Sequence, residues 1–93
     1  MSEREAQCFR NGAFVGKILE DLATKREAGE AYISRKELVM GIFDTLLVLT
    51  RECGADSELS NEIRKVKAAV EQGDLDAIMS AARNASAAVS ASS

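Results

Sequence analysis

Carboxylates are the only groups numerous enough here for acid–base or metal chemistry, and Glu20, Asp21, Glu27, Glu30, Glu37 and Asp44 fall within one stretch of the chain. Paired along helices, such groups can hold a divalent cation that polarises a phosphate. The chain has no histidine. That removes zinc sites of the usual Cys/His types and every imidazole-based proton shuttle or triad. A serine or cysteine nucleophile needs a base and an oxyanion site, and neither Cys8 nor Cys53 has an evident partner for either. No glycine-rich phosphate loop follows a strand, because no segment reads as a strand. The sequence therefore assigns no catalytic residue, no metal and no cofactor.

One constellation of acids has a family likeness. Residues 35–53 followed by Cys53-Gly54-Ala55-Asp56 resemble a helix and turn of the all-α MazG-like nucleotide pyrophosphohydrolases, over about a quarter of the chain. The resemblance implies magnesium-binding carboxylates in an E-x-x-E motif and a later E-x-x-D motif. Glu27-Ala28-Gly29-Glu30 spells the earlier motif, but Gly29, read as the end of a helix, would splay its two acids apart. Glu37-Leu38-Val39-Met40 lacks the second acid, and Gly41 stands where the family's aspartate would be. An enzyme of this kind, with a degenerate motif, is one alternative function; a small-ligand or nucleotide binder is another.

Charge narrows the classes further. Twelve basic and 15 acidic residues give a formal net charge of −3, so no positive field is available to neutralise a nucleic-acid backbone. Arg64, Lys65 and Lys67 sit among Glu62 and Glu71 and read as a solvated helix face. The N-terminal Met1-Ser2-Glu3-Arg4-Glu5 does not read as a secretory leader, and the apolar run Leu38–Leu49, interrupted by Asp44, reads as too short to span a bilayer. The sequence thus predicts a cytoplasmic chain that binds neither nucleic acid nor membrane. Cys8 and Cys53 lie on apolar faces, which suits buried free thiols in a reducing compartment; a Cys8–Cys53 bridge is the alternative.

The elements that must position these groups are helices. Proline is missing throughout, and glycines followed by capping residues punctuate the chain. A first helix opens on a Ser2/Glu5 capping box, carries the stripe Phe14, Val15, Ile18, Leu19 and Leu22 with Cys8 extending it, and ends at Gly29. Gly12 and Gly16, four apart on that helix, mark a place for close backbone approach by another helix or a second subunit. A second helix opens on a Ser34/Glu37 capping box, with Ile33 stapled onto Leu38, and ends at Gly54. It is apolar on most of its circumference, leaving the narrow polar strip Glu37, Gly41, Asp44, Thr45 and Glu52.

A third helix starts near Asp56 or Ser57, carries Leu59, Ile63, Val66 and Val70, and stops at Gly73. A fourth, capped by Asp74, is alanine-rich and thinly apolar. The expected architecture is an all-α, four-helix, antiparallel bundle-like domain over residues 1–86, with an Ala/Ser-rich frayed tail over 87–93. Helix 35–53 offers more apolar surface than its thin neighbours can cover. That mismatch predicts a protein partner or homo-oligomer, and hence a non-enzymatic regulator, adaptor or inhibitor working through helix–helix contacts. Candidate contact residues are Phe9, Gly12, Gly16, Tyr32, Glu37, Gly41, Asp44 and Glu52.

Overall fold

Gly54 and Gly73 are where the sequence demands left-handed backbone, and both adopt it, with φ of 68° and 76°. At Gly73 the freed carbonyls of the preceding helix are recovered: its N–H donates to Ala69 O and Val70 O, and Asp74 N–H donates to Ala69 O. Asp74 then caps the next helix, its carboxylate accepting from Ala77 N–H at 3.1 Å. The computed structural model describes residues 3–54 and 57–92, apart from the side chains of Arg4, Glu5, Phe9, Ser57, Ala91 and Ser92. The expected caps Ser2 and Asp56 lie outside the described residues.

The described chain is all-α: α1 (Glu3–Thr24), α2 (Arg26–Ser34), α3 (Lys36–Glu52), α4 (Ser57–Gln72) and α5 (Leu75–Ser92). None of these helices is long and apolar enough to cross a membrane. The element absent from the sequence reading is α2. The expected first helix breaks at Lys25, which is extended (φ −115°, ψ 109°), and a new helix starts at once. Gly29 does not stop a helix; it is buried inside α2. A Cβ at Gly29 would fall 2.5 Å from Leu75 Cδ1, so the glycine serves close approach between α2 and α5 rather than a turn.

The Ser34/Glu37 capping box does not form either. Ser34 is the last residue of α2 and its hydroxyl donates backwards to Ala31 O at 2.9 Å. Arg35 takes the cap position of α3 without a side-chain bond. The staple fails with it, because Leu38 is exposed while Ile33 lies toward Gly73, 3.8 Å from where its Cβ would be.

The core is a single cluster containing Leu19 and Leu22 of α1, Phe43 and Leu46 of α3, Ile63, Val66 and Val70 of α4, and Ile78 of α5, all fully buried. Helix α5 lies between α1 and α4 and packs most extensively with both; α3 packs mainly on α4 and only lightly on α1. The thin helix is thus the central one. Ala82 and Ala85 of α5, fully buried, and Ala69 of α4 give short side chains at this contact, which allows a close approach of helix axes. The helix continues past Ser86 through Ser92, and Val89 reaches Gly16, with Cγ1 3.6 Å from a Cβ placed there.

The lightly packed α1–α3 side carries the covalent link. Cys8 and Cys53 form a disulfide with a Cα separation of 5.5 Å, and neither is a free thiol. This corrects the expectation of buried free thiols: the fold brings the first turns of α1 beside the end of α3, a proximity no local pattern encodes. Since the bridge closes a sequence separation of 45 residues, its reduction should cost about 2–4 kcal/mol of stability. Urea unfolding with and without a dithiol reductant measures this. Gly29→Val, which pushes a branched side chain into Leu75, should lower stability by about 1–3 kcal/mol in the same assay.

Candidate functional site

Helix α3 sets one face in the core and leaves the other in water. Val39, Phe43, Leu46 and Thr50, spaced four, three and four apart, are buried, and Thr50 satisfies its hydroxyl by donating to Leu47 O at 2.9 Å. Met40 and Leu47 on one flank and Ile42 on the other are partly buried against the core. The outward face carries Glu37, Leu38, Gly41, Asp44, Thr45, Val48, Arg51 and Glu52, all exposed. Leu38 is 66% and Val48 45% exposed, and Phe14 on α1 is 55% exposed. These three are the large apolar side chains that the described surface leaves in water.

Phe14 departs from its expected place in the α1 stripe. One turn of helix separates it from Ile18, yet the buried line runs through Val15, Leu19 and Leu22, with Ala23 turned the same way. By the 100° step of the helix, Phe14 and Ile18 lie on one flank of that line, while Gly16 lies on the other, against α5.

The polar strip expected on helix 35–53 is real, but its members have unequal surroundings. Asp44 pairs with Lys67 of α4, Oδ1 to Nζ 2.5 Å, with side-chain exposures of 62% and 30%. An exposed pair of this sort contributes on the order of 0–1 kcal/mol. Thr45 donates to Gly41 O at 3.0 Å. Gly41 faces open space. Glu37 and Arg51 have no ion-pair partner among the described residues.

The remaining candidates do not converge on this face. Gly16 is used internally against Val89, whereas Gly12 has no atom near its missing Cβ. The side chain of Phe9 is outside the described residues. Tyr32 is a residue of α2 rather than of a turn, and its ring meets Phe43 edge-on with centroids 6.1 Å apart. Burial pushes the Tyr32 phenol above its ordinary value, and the negative charge of Asp21 adds to this.

The acids likewise scatter. Glu27 and Glu30 share α2 because Gly29 does not break it, so the expected splaying is corrected, and Glu30 is 3.9 Å from Arg26 of the same helix. Asp21 pairs with Lys25 at 3.6 Å. Among the described residues no group of three or more His, Cys, Asp or Glu side chains is arranged to hold a metal ion. With Cys8 and Cys53 bridged, free thiols no longer argue for a reducing compartment.

Comparison with family models, curated proteins and solved structures finds no match. The α3 face stands out by its own chemistry. Leu38 and Val48, which sequence reading placed in the buried coat, are its main components. A sequence signal for them exists: Leu38, Gly41, Thr45 and Val48 are spaced three, four and three apart, a second helical stripe beside the core one.

Tyr32 offers a spectroscopic handle on this packing, since the chain has one tyrosine and no tryptophan. The folded phenol holds its proton more tightly than the unfolded one, whose value is 10.0. Its stabilisation is therefore complete below that pH and is lost as pH rises through the higher folded value. Tyrosinate absorbance should titrate above the ordinary value in the native chain and return to it in urea. Tyr32→Phe should remove this part of the alkaline instability.

Proposed function

We propose that the chain is a non-enzymatic protein-binding module, a regulator, adaptor or inhibitor, that docks another polypeptide onto the outer face of α3. The observation that carries this reading is the exposure of Leu38 and Val48 on one face of a helix whose opposite face is fully used by the core. Each such side chain forgoes about 1.5–3 kcal/mol of transfer free energy by staying in water, and a second chain laid along α3 would recover it. Mixed charges around the apolar residues, Glu37, Asp44 and Arg51, supply the polar rim that gives such contacts orientation.

Asp44, with its aspartate–lysine pair at the edge of the face, fits the same reading as a fixed charge beside the docking line rather than a metal ligand. Exposed substitutions away from packing usually change stability by less than about 0.5 kcal/mol, so the surface can be altered without unfolding the domain. Leu38→Lys combined with Val48→Lys should preserve the circular-dichroism spectrum and melting midpoint. It should also abolish recovery of polypeptides cross-linked to the chain in its own cells. Recovery of the same cross-linked partners by the variant would overturn the docking surface. Magnesium-dependent turnover of a nucleotide panel, lost on Glu37→Gln, would overturn the non-enzymatic assignment.

A further inference from the structure

The exposed stripe of α3 reads nearly the same from either end. Leu38, Gly41, Thr45 and Val48 place an apolar side chain at each end and two small residues between. An axis of two-fold symmetry crossing α3 at the level of Phe43 lays Leu38 over Val48 of a second copy and Gly41 over Thr45 of that copy. An isologous contact has this self-complementary form. Gly41 has no atom within 4 Å of its missing Cβ and lies mid-helix with ordinary backbone. Nothing among the described residues requires a glycine there, yet in an isolated exposed helix it costs about 1 kcal/mol relative to alanine. Close approach by a second helix supplies a use for it.

Charge supports the same arrangement and decides its direction. Glu37, Asp44 and Arg51 recur at intervals of seven along one flank of the stripe. In an antiparallel pair Glu37 faces Arg51 of the other copy, twice by symmetry. A parallel two-fold pair would instead set this flank against the opposite flank of the other copy, so that Glu37 and Arg51 would not meet. Asp44 comes near its own mate at the axis, where two bare carboxylates would repel. Each is already held by Lys67 at 2.5 Å, which offsets that repulsion.

We infer that the occupant of the α3 face is a second copy of this chain, packed antiparallel with Leu38 over Val48 and Glu37 beside Arg51. This rests on the docking surface proposed above and names its partner. The other occupant open to such a face, an unrelated protein, is an outcome of the test.

Purified wild-type chain should sediment as a dimer that dissociates on dilution, while Gly41→Leu should sediment as a monomer with undiminished helicity. Glu37→Arg and Arg51→Glu should each weaken self-association about tenfold, since each turns two attractive contacts repulsive. Mixing the two variants should restore association, as should combining both substitutions in one chain. A photo-cross-linking residue at Val48 should join the second copy near Leu38. Monomeric wild type, a dimer indifferent to Gly41→Leu, or a link from position 48 to position 48 would each overturn the inference. Cross-linking in cells to unrelated protein alone would overturn it and leave the docking surface standing. No cross-linked product at all would overturn both.

Discussion

Close packing of α5 against α1 and α4 is the constraint on which the other helices depend. Ile78, Ala82 and Ala85 are fully buried, and the short alanine side chains let two neighbours approach one thin helix at once. Leu19 and Leu22 from α1 and Ile63, Val66 and Val70 from α4 then belong to one core with α5 between them. A larger residue at Ala82 or Ala85 would separate α1 from α4 and open that shared core. Alanine here acts by what it omits: the apolar bulk comes from the two neighbours, and α5 supplies the space.

The same arrangement explains why α3 is left partly uncovered. With α5 taken up by α1 and α4, α3 finds its main support on α4 and meets α1 only lightly. Its buried line, Val39, Phe43, Leu46 and Thr50, is satisfied by that support. Its remaining apolar residues have no further helix to turn to, so Leu38 and Val48 face water. The Cys8–Cys53 bridge ties the start of α1 to the residue that follows α3 on this weaker side. A covalent link on this lightly packed flank limits the freedom of the unfolded chain and so adds to what packing supplies there.

Helix α2 closes one end through two contacts that depend on side-chain size. Gly29 admits Leu75 so closely that a Cβ would overlap it, and Tyr32 lays its ring edge against Phe43. One-residue breaks at Lys25 and Arg35 set α2 off from α1 and α3. Thr24 bonds back to Glu20 O and Ser34 to Ala31 O, as such residues do within or at the end of a helix. The acids of this region accordingly spend their charge on neighbouring bases, Asp21 on Lys25 and Glu30 on Arg26, at the surface.

The all-α class, the stops at Gly54 and Gly73, the Asp74 cap and the core stripe of α4 were legible in the sequence, because each is a local matter of periodicity or of backbone handedness. The polar strip of α3 was legible for the same reason. Gly29 misled because a glycine that allows close packing and one that ends a helix are spelled alike, and only the position of Leu75 tells them apart. Ser34 misled because its hydroxyl has two carbonyl-versus-amide uses and the preceding helix claimed it. The pairing of Cys8 with Cys53 and the exposure of Leu38 and Val48 depend on which helices become neighbours. Sequence determined which faces are apolar; only the tertiary structure decided which of those faces found a partner within the chain, since burial is a property of the neighbours and not of the residue.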